Sequence, residues 1–327
     1  MRRFAEVEDL SVVVRDAVGG RVEEVERLRG GSKKGVYRVR VDGGEVAGAV
    51  VYRWAGEENY WPGAEAGDAG DPFAPASGLA PFLAAQRHLA DLGVRVPRVL
   101  GVASGRGPDG RTDTAVVEDV PGGTLESLFA TQPDRAAAAL ADLARTLGVM
   151  GEDRSSRYGR VDLLAAGGTA RGTSCEQIVL DRALDDLAEA ARRETRIGDA
   201  YDRMRERLLE RADLVAPRTD HRLIHGELGP DHVLVDADGR AVLIDIEGLM
   251  YFDLEWEHVF LRLRFAHRYP ALSRAGLDPG RLALYEPAMR LSLVAGPLRL
   301  LDGDFPDRDF MRGIVEHNLA EALVLLG

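Results

Sequence analysis

Glu227, His232 and Asp245 are the residues whose types and spacing could do chemistry in this sequence. Glu227 follows a short apolar run, His232 comes five residues later at the start of another, and Asp245 ends a third. One carboxylate can accept a proton from an attacking hydroxyl group, while the other two side chains hold a divalent cation on a polyphosphate. The set therefore predicts phosphoryl transfer, with Asp231 as the alternative metal ligand if the register shifts by one.

Short strands are needed to hold these groups in one cleft, and the hydrophobic pattern predicts them at 221–224, 232–235 and 241–246. Before residue 121 the sequence predicts a small sheet with one helix, with strands at 25–29, 36–41, 47–54, 97–102 and 114–118 and the helix at 79–92. Apolar residues at three- and four-residue spacing predict helices at 136–150, 176–193, 200–212 and from 255 to the end. Residues 61–78, rich in Gly, Ala, Pro and Asp, are interpreted as a loop or a poorly ordered insertion.

The overall charge limits the class of partner. The 327 residues carry 42 Lys+Arg against 54 Asp+Glu, a net charge of -12. A general nucleic-acid binder or a protein that docks on anionic membranes needs a basic face, so both classes are excluded. The charge suits neutral or cationic partners, or an anionic ligand that is bound by a few local cations. Only two of the cations are lysines, Lys33 and Lys34, so any chemistry that needs a lysine must take it from there.

The cysteine count and the lack of long apolar runs indicate the compartment. The single cysteine, Cys175, excludes an intramolecular disulfide and a cysteine-based zinc site. The first residues show no signal peptide, and no stretch reaches the roughly 18 apolar residues that a membrane span needs. We therefore expect a cytoplasmic protein.

The stretch around Glu227 resembles a known catalytic loop. Residues 225–235 read HGELGPDHVLV, which is similar to the His-Gly-Asp-Leu-x-x-x-Asn pattern of the aminoglycoside phosphotransferase family of small-molecule kinases. Residues 244–247 resemble the family's Ile-Asp-Trp/Phe-Glu/Asp segment. The resemblance implies that Glu227 is the catalytic base and that His232 and Asp245 bind Mg²⁺ or Mn²⁺.

The resemblance extends over nearly the whole chain and implies a protein-kinase-like, two-lobed α+β fold. A small β-rich nucleotide-binding lobe is expected over residues 1–120, and a larger, mostly helical catalytic and acceptor-binding lobe over 121–327. Three residues are expected to brace the catalytic loop, namely His225, Asp253 and Glu257. ATP, or alternatively GTP, is expected to contact the Gly-rich turn Gly30, Gly31, Ser32, Lys33, Lys34 and Gly35, together with Arg53 and the hinge residues Glu118, Asp119 and Val120.

The sequence departs from the family pattern at several positions. Glu227 is one methylene longer than the usual aspartate, and His232 replaces asparagine, as in macrolide phosphotransferases. Arg53 takes the place of the third-strand lysine, where its guanidinium can grip phosphate oxygens bidentately. No acid falls near Phe82, where the lysine's usual partner is expected, and Glu57 or Glu58 could substitute.

The acceptor stays open at this point. An aminoglycoside, a macrolide or another natural-product alcohol is the first reading, and a Ser/Thr side chain of a precursor peptide is the second. Lys33 and Lys34 either fold onto the β- and γ-phosphates or form a solvated hairpin tip. A pseudokinase, which binds nucleotide or a partner without transfer, is the competing class because of the altered positions Glu227, His232 and Arg53.

Overall fold

The structure is a computed structural model that describes residues 2–29, 31–61, 68, 70–107 and 110–327. Its strands are β1 Arg21–Arg27, β2 Gly35–Asp42, β3 Gly48–Trp54, β4 Val99–Gly107, β5 Gly110–Glu118, β6 Arg154–Ser155, β7 Gly159–Arg160, β8 His221–Ile224, β9 Val233–Val235, β10 Ala241–Leu243 and β11 Met250–Phe252. Its α-helices are α1 Val7–Val18, α2 Leu79–Asp91, α3 Leu125–Thr131, α4 Pro133–Glu152, α5 Val161–Ala165, α6 Cys175–Arg193, α7 Thr195–Gly198, α8 Tyr201–Asp213, α9 Leu254–Phe265, α10 Pro279–Asp302 and α11 Arg308–Leu326. Short 3-10 turns occupy Gly56–Glu58, Pro230–His232, Ile246–Gly248 and Ala266–Ala271.

The packing divides the chain into two compact units that are each discontinuous in sequence. One, here called the sheet unit, contains residues 1–65, 75–146 and 230–248. The other, here called the helical unit, contains residues 66–74, 147–229 and 249–327. The lobe boundary after residue 120 stays a prediction.

The sheet unit is built on an antiparallel five-stranded sheet in the order β1-β2-β3-β5-β4. Strand β2 follows the predicted alternation, since Tyr37, Val39 and Val41 are buried while Arg38 and Arg40 are exposed. This alternation places successive side chains on opposite faces. The two faces of the sheet therefore have different neighbours.

One face of this sheet packs on α1, which was not among the predicted helices. Its residues Leu10, Val14 and Val18, spaced by four, are buried with Tyr37 and Val39 in one apolar core. The other face carries Tyr52, whose ring lies 5.5 Å from that of Phe82 on α2.

The hairpin β9–β10 also belongs to the sheet unit. Its strands pair from Val233 with Leu243 to Val235 with Ala241. Two backbone hydrogen bonds attach it to its surroundings: the Leu243 N–H donates to the Arg95 carbonyl at 3.0 Å, and the Val235 N–H donates to the Gly123 carbonyl at 3.0 Å. The hairpin is therefore held at its turn end through Val235 and at its open end through Leu243.

The helical unit surrounds a small four-stranded sheet in the order β6-β8-β11-β7. Its core contains Val179, Leu187 and Ala190 of α6, together with Leu284 and Leu291 of α10, all of them buried. The antiparallel sheet of one unit and the helices of the other confirm the predicted α+β class. Among the described residues, no helix combines the length and the apolar character needed to cross a lipid bilayer.

Candidate active site

Lys34 and Asp245 meet in the sheet unit although 211 positions separate them in sequence. The Lys34 Nζ atom lies 2.7 Å from Asp245 Oδ1 and also donates to Glu247 Oε1. His232 joins the group, with Nε2 3.7 Å from Asp245 Oδ2. Two carboxylates, one ammonium group and one imidazole therefore converge, and we call these four residues the Lys34 cluster.

Local backbone structure fixes the positions of His232 and Asp245. The Ile244 N–H donates to the His232 carbonyl at 3.1 Å, so the residues at the two ends of the β9–β10 hairpin are held side by side. Asp245 itself has φ 59, and only Ala266 shares a positive φ among the non-glycine residues of the described ranges. A left-handed non-glycine residue carries backbone strain, and such strain is common at functional sites.

Burial and the neighbouring negative charges act in opposite directions on the pKa of Lys34. Burial alone acts to lower its pKa, but the carboxylates of Asp245 and Glu247 outweigh it and raise the pKa above its usual range. The Lys34 side chain is 9% exposed and lies 5.2 Å from the centre of the Tyr52 ring, whereas the Asp245 side chain is 44% exposed. The ammonium group is therefore charged and enclosed, while the carboxylate that it contacts is open to small solutes.

Arg53, predicted to replace the third-strand lysine, belongs to a different group of side chains. Its guanidinium lies 2.8 Å from Glu57 Oε1 and 3.3 Å from Glu58 Oε1. Both acids that were considered as substitutes for the helix glutamate thus contact it. Glu58 also accepts a hydrogen bond from Tyr37, whose ring belongs to the α1 face of the sheet.

Tyr52 and Arg53 are neighbours on β3, so their side chains leave opposite faces of the sheet. Lys34 lies over Tyr52, on the face that packs against α2, and the arginine points toward the other face. Gly35, opposite Arg53 in the β2–β3 pairing, is needed here. A Cβ atom at this position would lie 2.6 Å from both Glu58 and the Tyr37 ring.

The rest of the Gly-rich turn is only partly described, because Gly30 lies outside the described residues. Ser32 is attached to the following segment: its Oγ accepts from Trp61 Nε1 at 3.1 Å, and its carbonyl accepts from the Tyr60 N–H at 2.8 Å. Lys33 is half-buried. The turn is therefore anchored at Ser32, and Lys34, its last residue before Gly35, enters the cluster.

The predicted hinge lies at the end of β5. Glu118 pairs with Arg95 at 2.5 Å, and Asp119 pairs with Arg38 at 2.9 Å. Val120 is buried. Both carboxylates of this segment therefore form ion pairs with arginines.

Glu227 belongs to the helical unit and lies exposed in the loop that follows β8. The loop is held from beneath: the Gly226 N–H donates to Glu257 Oε2 at 2.6 Å, and Gly226 has φ 90. His225 and Glu257 are both buried. Burial raises the pKa of Glu257 to about 7, although the hydrogen bonds that it accepts from backbone N–H groups act to lower this pKa.

Asp253 anchors a second buried network in the helical unit. It accepts from Arg281 and from the Tyr285 hydroxyl group, and Arg218 lies 3.6 Å from its Oδ1. Arg281 also contacts Glu176 at 3.2 Å. The ligand atoms of Cys175, His221 and Asp253 come within 4.8 Å of one another, yet two guanidinium groups already balance this carboxylate. The arrangement is that of a structural brace.

The structure thus brings together Lys34, His232 and Asp245 in the sheet unit. In the helical unit Glu257 holds the backbone next to Glu227, whereas Asp253 belongs to the separate network around Arg281. Sequence reasoning missed Glu247 as a partner of Lys34, although it lies in the quoted segment 244–247. It also missed Arg281. An arginine near the start of a helix, 28 positions after Asp253, gives no local signal.

Comparison with known proteins gives a family and a fold. A family model described as "Phosphotransferase enzyme family" matches residues 24–292. The GDP complex of wild-type aminoglycoside 2'-phosphotransferase-IIIa is similar over 97% of this chain and 99% of that one, with 19% identity and a TM-score of 0.63. A ternary complex of a thermostable mutant of aminoglycoside phosphotransferase APH(4)-Ia with ADP and hygromycin B is similar over 94% and 96%, with 18% identity and a TM-score of 0.62. No curated protein matches the sequence. The structural matches confirm the predicted kinase-like fold.

Proposed function

Because the chain belongs to the phosphotransferase enzyme family, whose model matches residues 24–292, we propose that it transfers the γ-phosphate of ATP to a hydroxyl group of a small natural-product alcohol. The observation that carries this proposal is the convergence of His232, Asp245 and Lys34 in the sheet unit. A divalent cation on a polyphosphate needs metal-binding side chains and a cation for the phosphate oxygens side by side.

Asp245 and His232 are the residues that would hold the metal ion. The fit is chemical: carboxylate oxygen suits Mg²⁺, and an imidazole nitrogen is better tolerated by Mn²⁺. The partly exposed Asp245 carboxylate is open to an ion from solution, and the imidazole lies 3.7 Å from it. Once bound, the metal ion supplies neutralisation of the charge on the phosphate oxygens.

Glu227 would accept the proton of the acceptor hydroxyl group. It is exposed at the tip of a loop whose backbone is fixed by Glu257 and Gly226. The loop is thus rigid where the base needs to be aimed, although a glutamate reaches one methylene further than an aspartate. A displacement near 1 Å can cost about 10²-fold in rate, so the acceptor must lie correspondingly further from the loop backbone.

The nucleotide would contact the turn at 31–35 through its phosphates and the main chain of 118–120 through its base. Structures similar to this chain include complexes with ADP and with GDP, so ATP and GTP are both candidates. Similar complexes with hygromycin B and with kanamycin support an aminoglycoside as the first acceptor to test. The net charge of -12 also favours a cationic or neutral acceptor.

The test is phosphate transfer by the purified chain with ATP or GTP and Mg²⁺ or Mn²⁺. The acceptor panel contains aminoglycosides, macrolides and a serine-containing peptide, and mass spectrometry detects one added phosphoryl group. We expect transfer to an antibiotic, and its loss in Glu227→Gln, whose side chain keeps its size but cannot accept the proton.

Three outcomes would contradict the proposal in different ways. Transfer to the peptide alone would replace the acceptor class. Nucleotide binding without any transfer would make the chain a pseudokinase. Full activity of Glu227→Gln would remove Glu227 from the mechanism and leave the reaction class intact.

A further inference from the structure

The position of Lys34 affects the binding of both the metal ion and the nucleotide of the proposed reaction. Its ammonium group has three donors, and two of them are directed at Asp245 and Glu247. Asp245 is also the carboxylate proposed to bind the metal ion. A lysine and a divalent cation therefore compete for the same oxygen atoms.

The free-energy cost of moving the Lys34 ammonium group away from Asp245 depends on which group replaces the carboxylate as its partner. The side chain is 9% exposed, and an enclosed ammonium group that loses its partners is strongly unfavourable. A metal ion that arrives alone must share Asp245 with this cation or displace it. A nucleotide that arrives with the metal brings phosphate oxygens, which are new partners for the ammonium group.

Arg53 cannot supply this contact with the phosphate oxygens, because its position on β3 directs its side chain to other partners. Its guanidinium is held by Glu57 and by Glu58, whose side chain is fully buried. It also leaves the sheet on the face opposite to Tyr52, over which Lys34 lies. The described contacts of Arg53 are thus those of a structural ion pair.

From these contacts we infer that Lys34 couples metal binding to nucleotide binding: it neutralises Asp245 and Glu247 in the protein without nucleotide, and moves to the phosphate oxygens when metal and nucleotide bind together. The inference rests on the proposed function. It assigns to Lys34, directly before β2, the phosphate-binding role that the sequence pattern gives to Arg53 on the third strand. It also makes the metal site weak toward metal alone.

The decisive measurement is the affinity for Mn²⁺ alone, by titration calorimetry and by the Mn²⁺ electron paramagnetic resonance signal. Lys34→Met removes the competing cation, so we expect Mn²⁺ alone to bind about tenfold more tightly than to the unchanged protein. ADP measured with a chelator present should bind more weakly to the same variant. Coupling between ligands is typically about 5- to 150-fold, and the variant should lose most of it.

Opposite changes in the two affinities separate this inference from simple damage to the fold, which would weaken both. Lys33→Met removes a nearby charge without a contact to Asp245, and should change the Mn²⁺ affinity much less. Arg40→Met removes an exposed positive charge further along β2 and should change neither affinity. If Lys34→Met is unstable, Lys34→Met combined with Glu247→Gln removes the buried acid that it leaves unpaired.

Weaker or unchanged binding of Mn²⁺ alone to Lys34→Met and to the double variant would overturn the inference. The same applies if Arg53→Met, rather than Lys34→Met, weakens ADP binding. None of these measurements includes an acceptor. A failure of the acceptor panel would therefore leave this result unaffected, and the reverse also holds.

Discussion

The Lys34 cluster and the Arg281 network are both groups of carboxylates around a buried cation, and they differ in what they leave open. Arg281, Asp253 and Glu176 are all buried. The two carboxylates contact the Arg281 guanidinium group, and Asp253 also accepts a hydrogen bond from a tyrosine hydroxyl group. In the Lys34 cluster one ammonium group faces two carboxylates, and Asp245 remains 44% exposed. A closed, balanced network stabilises a fold, whereas an open cluster with excess negative charge is able to take up a further cation.

The backbone shows the same contrast. Asp253, directly before α9, has φ -71 and ψ 128, which is ordinary extended geometry. Asp245 is held at φ 59. Strain at the open cluster and its absence at the closed one agree with a binding role for the first and a structural role for the second.

The largest expected effect is on stability in the closed network. Arg281→Met removes the cation between Asp253 and Glu176, so that the buried Glu176 loses this ion pair while Asp253 keeps Arg218 at 3.6 Å. We expect the free energy of unfolding to fall by about 3–5 kcal/mol. Denaturant titration measures the change, with Arg312→Met as the matched control.

Arg312 forms an exposed pair with Asp309, so its replacement should cost about 1 kcal/mol or less. Equal losses in the two arginine variants would show that the network around Arg281 is not a stabilising brace.

The next effect is on activity in the open cluster. Asp245→Asn keeps the shape of the side chain and tolerates the left-handed backbone, but weakens a metal ligand. Substitution of a residue that only supports a metal ligand typically lowers metal affinity or activity about 10- to 100-fold. For the ligand itself we therefore expect the transfer rate to fall by at least about 10²-fold. The melting temperature should stay close to that of the unchanged protein.

Asp238→Asn, in the exposed turn between β9 and β10, is the control and should keep the rate. A large loss of stability in Asp245→Asn with little loss of rate would make the Lys34 cluster a brace like the Arg281 network.

The smallest effect is a pH dependence from Glu257, a buried carboxylate whose described hydrogen bonds come from backbone N–H groups. Burial raises its pKa to about 7 in the folded protein, so stability is highest when the group is protonated and falls as the pH rises. Between pH 5 and pH 7 the unchanged protein should lose about 2 kcal/mol relative to Glu257→Gln, which cannot ionise.

Unfolding free energies of both proteins at the two pH values give this difference directly. A constant difference between them across the range would mean that Glu257 does not titrate there.

Much of this could be predicted from local sequence pattern. Strand β8 lies at the predicted residues 221–224. Helix α2 ends within one residue of the predicted helix 79–92, because Gly93 follows it. The hairpin β9–β10 was expected from two apolar runs around a turn. Its strand β10 ends at Leu243, earlier than expected, because Asp245 adopts a left-handed conformation.

The sequence pattern could not predict on which face of the sheet each side chain lies. Counting lysines limited the choice to Lys33 and Lys34, and the strand pattern gave Arg53 the place on β3. Only the pairing of β2 with β3 places Lys34 over Tyr52 and Arg53 on the other face. The contact of Arg281 with Asp253 is equally non-local, and α1 was missed at the start of the chain.

The scarcity of lysine makes the enclosed position of Lys34 chemically addressable. Amine-reactive reagents modify lysine side chains in proportion to their access to solvent, and this chain offers two, of which Lys34 is 9% exposed. Brief acylation of the folded protein should therefore modify Lys33 well before Lys34. Peptide mapping of the acylated chain would then report, through the modified fraction of Lys34, how open the surroundings of this side chain are.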